Sequence, residues 1–153
     1  MTFRYYDDFA PGEEIDLGSK TVTAEEIIDF ASQFDPAPFH LSEEGGKASM
    51  LGRLAASGWH TCAILMRMMC DTFLLDSSGQ GSPGIDECQW NAPVHPGDTL
   101  KGRATIVSKR LSASRPDIGI VNFRFEIFKD DGTKVLTVAN PIMFRPRSTG
   151  EAA

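Results

Sequence analysis

The sequence predicts an α+β domain in which antiparallel strands wrap one central helix. Three observations carry that reading. Helical periodicity is confined to the first half of the chain and strand alternation to the second. Residues 57–75, SGWHTCAILMRMMCDTFLL, are apolar or small at nearly every position from Trp59 onward, with Arg67 and Asp71 the charged exceptions. A helix that is apolar nearly all round is a buried one, and this stretch is too short and interrupted for a membrane span of about 20 apolar residues. Finally, a single sheet has one apolar face to cover, and this helix is the object available to cover it.

The elements follow in order. Residues 3–22 alternate loosely, with Pro11-Gly12 as a turn, and read as short irregular extended pieces. Thr23-Ala24-Glu25-Glu26 is a capping box, with Thr23 as N-cap and Glu26 expected to reach back to its backbone N–H. Ile27, Phe30, Ala31 and Phe34 make one apolar stripe, and the helix should end at Asp35 because Pro36 disfavours helical torsions in the residue before it. Residues 36–56 are loop-rich, yet too apolar for a free linker. Gly45-Gly46 weaken the short helix that Ser42-Glu43-Glu44 begins. Ser57 is an N-cap for the central helix and Gly58 permits a close approach.

After that helix, residues 76–84 (DSSGQGSPG) read as a flexible loop. Strands are expected at 85–90, at 100–107 after the turn Pro96-Gly97-Asp98, and at 121–127, where Val121, Phe123, Phe125 and Ile127 alternate with polar residues. Asp130-Asp131-Gly132 is a hairpin turn. The returning strand at 134–144 carries Pro141, which lacks an N–H for the ladder and belongs at an edge or bulge. One domain is expected over 1–146, with a disordered tail at 147–153 whose character begins at Arg145.

Bulk properties narrow the function. At 153 residues the chain holds one good core. Its net charge of -6 argues against nucleic acid as the main partner, since counterion release needs a basic face. The N-terminus MTFRYYDDFAPGEE has no signal-peptide pattern, so the cytoplasm is the expected location, without a membrane partner. Cys62, Cys70 and Cys88 lack CxxC spacing and an even count, and read as reduced packing thiols. No His/Cys/Asp cluster has metal-ligand spacing.

Three histidines limit the search for an acid–base pair. His40 lies five residues after Asp35 in D-P-A-P-F-H, and two prolines stiffen the tether between them. A carboxylate and an imidazole, with ordinary pKa values of about 3.9 and about 6.5, supply the two groups that general acid–base catalysis needs. The plainer reading is a helix-ending aspartate and a loop histidine satisfied by backbone. His60, in the first turn of the central helix, reads as a structural histidine bonded to nearby backbone. His95, beside the PGD turn, reads as a surface residue without a role.

The run FASQFDPAPFHLSEEGGKASMLGRLAASGWHT resembles the MaoC-like dehydratases, relatives of the (R)-specific enoyl-CoA hydratases. Asp35, Pro38 and His40 match that family's signature, SGWHT matches the start of its central helix, and PVHPGDTL resembles its strand entry. The resemblance implies the hotdog fold, a curved antiparallel sheet around one long helix, assembled as a homodimer or higher homo-oligomer. It further implies reversible addition of water across the C2–C3 double bond of an enoyl thioester, with coenzyme A as part of the substrate and no separate cofactor. Asp35 would activate or orient the water, His40 would handle the proton at C2, and the Gly58 N–H would receive the thioester oxyanion. Phe39 and Trp59, with Ala37 and Ser57 beside them, are the expected substrate contacts, and Lys47, Arg53 and Arg115 are candidates for the CoA phosphates.

Ala37 stands where many hydratases carry Asn, so that side chain's hydrogen bond is missing or supplied from elsewhere. The departure bears on substrate class more than on reaction type. Two alternatives accompany this reading. A hotdog thioesterase would use a carboxylate on the central helix, here Asp71, and a non-catalytic acyl-CoA-binding protein would have lost its working loop.

Overall fold

The alternating stretches pair into one six-stranded antiparallel sheet in the computed structural model, which describes residues 2–148. Strand β1 (Glu14–Thr21) is followed by α1 (Ala24–Phe34), a 3-10 turn at Pro38–His40, and the short α2 (Glu43–Lys47). Helix α3 (Gly58–Met69) comes next, then β2 (Gly79–Gly81), β3 (Glu87–Trp90), β4 (Thr99–Leu111), β5 (Gly119–Lys129) and β6 (Lys134–Phe144). The main order is β1-β4-β5-β6, and both β2 and β3 pair with the outer side of β6. The sheet curls round α3, the hotdog arrangement.

Alternation decides which face meets the helix. Leu100, Ala104 and Ile106 of β4, and Val121, Phe123, Phe125 and Ile127 of β5, are buried against Ile64, Leu65, Met68 and Met69 of α3 in one core. Gly102 sits in that inward row because a Cβ there would lie 2.8 Å from Met68 Sδ and 3.0 Å from Leu17 Cβ. Register shifts at Asp16/Ser19 in β1 and Ile106/Ser108 in β4 bend the strands. In β1 the bulge holds Gly18 at φ 80°, where its N–H donates to Asp16 Oδ1 over 2.9 Å.

Several expectations are corrected. The central helix is α-helical only to Met69. It then widens into a π-helical turn, Cys70–Leu74, in which Leu75 N–H donates to Cys70 O and the Thr72 hydroxyl donates to the Met68 carbonyl. Nor is it buried all round: Trp59 is 62% exposed and Met66 46%. Apolar composition therefore marks an open flank here as well as a core. Phe34, read as the end of the α1 stripe, is also exposed.

Glu26 does not complete the capping box. Thr23 Oγ1 accepts from the Glu26 N–H, while the Glu26 carboxylate turns to Lys20 Nζ at 2.8 Å and the Thr23 hydroxyl at 3.1 Å. The lysine offers a charge–charge contact that a backbone N–H cannot match. The loop at 76–84 contains β2 and is held by side-chain bonds from Ser77, Ser78 and Ser82. Pro141 lies in β6, in the gap between the end of β3 pairing at Ala139 and the start of β2 pairing at Met143, so its missing N–H breaks no ladder. The expected tail is tied down where it is described: Arg145 N–H donates to Ser78, Arg147 N–H to Asp7, and the Arg147 guanidinium to Asp8 at 2.7 Å. Residues 149–153 of that expectation lie outside the described residues.

Gly45 and Gly46, which weaken α2 by propensity, are what allow it to pack. A Cβ on Gly45 would lie 2.0 Å from the Pro38 carbonyl oxygen, and one on Gly46 2.0 Å from the Arg53 carbonyl carbon. Both obstacles are backbone, so neither yields cheaply. Helix propensity alone makes Gly46→Ala stabilising by about 1 kcal/mol; the clash makes it destabilising by about 2 kcal/mol or more. Urea unfolding of the variant measures the sign.

Candidate active site

The two ends of one loop build the site. Asp35 terminates α1 with non-helical torsions (φ −152°, ψ 69°), its N–H still bonded to Ala31 O. Ala37 N–H donates back to the Asp35 carbonyl over 2.8 Å, and the 3-10 turn that Pro38 starts then brings His40 round. His40 is 7% exposed, and its Nδ1 lies 2.6 Å from the Ala55 carbonyl oxygen. A carbonyl only accepts, so Nδ1 carries the proton and the neutral ring has its lone pair on Nε2. That nitrogen lies 3.4 Å from Asp35 Oδ2.

Ser57 joins this loop to α3. It is fully buried; its hydroxyl donates to Asp35 Oδ2 over 2.7 Å and accepts the Trp59 N–H at 3.2 Å. The serine that caps the helix also holds the aspartate, leaving Asp35 Oδ1 without a partner among the described residues. The Gly58 N–H, in the first turn, likewise has none. Gly58's carbonyl accepts from Trp90 Nε1 at 2.8 Å, and a Cβ on Gly58 would lie 2.6 Å from that indole. Close packing of Trp90 accounts for the glycine.

Asp35, His40, Gly58, Trp59, Trp90 and Asn91 share one cavity of about 390 Å³. Ala37 and Phe39 do not line it. Phe39 instead packs edge-on against the His40 ring at 4.6 Å, and its carbonyl accepts from Ala55 N–H. No motif marks Trp90, the end of the strand expected at 85–90, or Asn91 as a site residue, and the pairing of β3 with β6 delivers both to the site. The Asn91 amide is held by the Thr137 hydroxyl at 2.9 Å.

The remaining candidates lie elsewhere. Asp71 is in the π-helical turn, half exposed and paired with Arg67 at 3.0 Å, outside the cavity. Arg115 pairs with Asp117 in the β4–β5 connection and lines a separate depression with Gln80 and Arg145. Lys47 and Arg53 are exposed on the loop side and do not line the cavity. His95 is half-buried, not on the surface, with Nδ1 3.0 Å from Leu54 O. His60 does not bond backbone through Nδ1, which is buried without a partner among the described residues; its ring stacks on Phe30 at 4.8 Å and 8°. Cys62 and Cys88 are free thiols 3.9 Å apart, and burial together with the Cys88 neighbour pushes the Cys62 thiol up to about 12.

Comparison with known proteins places the chain in a family. The MaoC like domain model matches residues 8–121. A MaoC-like dehydratase from Rhodospirillum rubrum is 36% identical, with a TM-score of 0.87, covering 95% of this chain and 99% of that one. A monoamine oxidase regulatory protein from Archaeoglobus fulgius is 27% identical, with a TM-score of 0.85 over 97% of this chain and 100% of that one. The (R)-hydratase from A. caviae, at 21% identity and a TM-score of 0.71, shares the fold over 91% of this chain and 98% of its own.

Burial holds the His60 pKa below its ordinary value, with Lys20 adding to the effect and Glu26 opposing it. The unfolded chain therefore binds the proton more readily, and stability present above about pH 6.5 is lost as the pH falls below it. The drop in Tm between about pH 7.5 and about pH 5.5 should be smaller in His60→Phe than in the parent, as measured by thermal melts in matched buffers.

Proposed function

This chain belongs to the MaoC-like domain family, and from that membership we propose a hydro-lyase that adds water reversibly to the C2–C3 double bond of an enoyl-CoA thioester. The observation that carries the reading is the 3.4 Å separation of His40 Nε2 from Asp35 Oδ2, with the lone pair of the neutral ring turned toward the carboxylate. Two acceptors facing one another are satisfied by a water that donates to both. Its own lone pairs then point into the cavity. This bound water is the nucleophile.

Asp35, held by Ser57, orients the water and stabilises positive charge on the imidazole. His40 Nε2 takes a proton from the water as its oxygen bonds C3, and returns that proton to C2 on the same face. The addition is syn and gives the (R)-3-hydroxy thioester. As the C–O bond forms, negative charge builds on the thioester oxygen, and the open Gly58 N–H at the positive end of α3 receives it. One such donor is worth about 3 kcal/mol in the transition state. Coenzyme A is a portion of the substrate, and no step needs another cofactor. Exposed apolar side chains on α3 and beside β3, Met66 and Ile85 among them, support pairing of two copies along this flank.

Crotonyl-CoA tests the reading. Loss of the enoyl-thioester absorbance without thiol release is the expected result; thiol release would mean thioester hydrolysis, and no change with straight, branched and carboxylated enoyl-CoAs would overturn the enzymatic reading. Asp35→Asn and His40→Gln should each lower kcat/KM by about 10²- to 10⁴-fold. Ser57→Ala should lower kcat by about tenfold with little change in KM, because it removes a hydrogen bond to a charged group that does not touch the thioester.

A further inference from the structure

Cys62 and Cys88 face one another across the junction of α3 and β3, with their sulfurs 3.9 Å apart. Both are free and only half-buried, and 26 residues of chain separate them. Cys70, the third cysteine, lies beyond the end of α3 in the π-helical turn. The proposed hydration uses neither sulfur of the pair.

The pair forms the rung next to a contact in the wall of the acid–base cavity. Cys62 is one helical turn after Gly58, and Cys88 lies two residues before Trp90, on the same face of β3. Gly58 accepts the Trp90 indole N–H at 2.8 Å, and there is no slack between them, since even a Cβ would lie 2.6 Å from the ring. A disulfide holds its sulfurs about 2.05 Å apart, so closure must bring these two nearer than their 3.9 Å. A cysteine side chain has one torsion to turn, and what χ1 does not supply, α3 and β3 must. The adjoining rung, Gly58 against Trp90, moves with them.

We propose that Cys62 and Cys88 are a site of reversible oxidation: a hydroperoxide converts them to a disulfide that clamps β3 to α3, displaces the Trp90–Gly58 contact and slows turnover. With hydrogen peroxide, one thiolate attacks a peroxide oxygen, the O–O bond breaks, and a sulfenic acid forms as water leaves. The other sulfur attacks the sulfenic sulfur; the S–S bond forms, and the departing hydroxide takes the second thiol proton as water. The two thiols are oxidised and the peroxide is reduced to water. Burial and the Cys88 neighbour hold the Cys62 thiol well above its ordinary range, which assigns the first attack to Cys88. Neither sulfur is fully enclosed, and hydrogen peroxide is scarcely larger than water. Only the effect on turnover rests on the hydratase reading.

Hydrogen peroxide treatment of the full chain, with thiol titration in denaturant, tests this. Two of the three thiols should be lost, tryptic mapping should recover the Cys62 and Cys88 peptides joined, and dithiothreitol should reverse both. The two tryptophans, Trp59 and Trp90, lie edge-on at 5.2 Å. Oxidation should therefore change the intrinsic fluorescence of the parent and of Cys70→Ser, but not of Cys62→Ser or Cys88→Ser. Hydration of crotonyl-CoA should fall by about 10- to 100-fold on oxidation, as for a site displaced by about 1 Å. It should recover with dithiothreitol, and Cys88→Ser should keep its starting rate through the same treatment. Three thiols retained, a bridge that involves Cys70 or joins two chains, or sulfinic acid without a bridge overturns the proposal. So does a Cys62–Cys88 bridge that leaves the fluorescence unchanged, or that leaves the turnover of an active protein unchanged. A bridge with the fluorescence change, in a protein that hydrates no enoyl-CoA, supports the oxidation site and counts against the hydratase reading alone.

Discussion

The Ser57 hydroxyl is the contact on which the site depends. It is fully buried, caps α3 by accepting the Trp59 N–H, and donates to Asp35 at the end of α1. A hydroxyl has one proton to give, and here it goes to the carboxylate. The central helix and the loop from Asp35 to His40 are thereby registered by one atom. His40 is oriented from the same neighbourhood, since Ala55, two residues before Ser57, accepts from its Nδ1. The proposed acid–base pair is positioned mostly by backbone and by a serine.

Close backbone approach makes this possible. Gly45 and Gly46 let α2 sit against Pro38 and Arg53, which brings the far end of the loop back to the start of α3. Gly58 does the same for Trp90, whose indole donates to the Gly58 carbonyl while the N–H of that residue stays open. Gly102 lets Met68 reach the inner face of the sheet. At each position a side chain would displace backbone, a large side chain or a core packing contact. Local propensity yields to tertiary packing.

Much of this was legible in the sequence. Alternation at 121–127 and the turn at Asp130-Asp131-Gly132 are local signals, and the structure carries both in β5 and the hairpin to β6. Asp35 and His40 were visible because a short proline-stiffened tether separates them, which makes a tertiary proximity nearly a local one. Trp90 and Asn91 were not visible, because their place in the cavity depends on β3 pairing with β6 across about fifty residues of chain. The exposed flank of α3 was misread for a related reason: composition reports that Trp59 and Met66 are apolar, not which of them the sheet leaves uncovered. Glu26 missed its capping partner because Lys20, outside the helix, competes for it.

The account turns on a single water held between Asp35 and His40 and delivered to one face of the double bond. Hydration of crotonyl-CoA in deuterium oxide tests it most directly, with the product resolved by chiral analysis and proton NMR. The account predicts one deuteron at C2, on the same face as the new C3 hydroxyl, in the (R)-3-hydroxy product. Anti addition, the (S) product or a mixture of C3 epimers would contradict it.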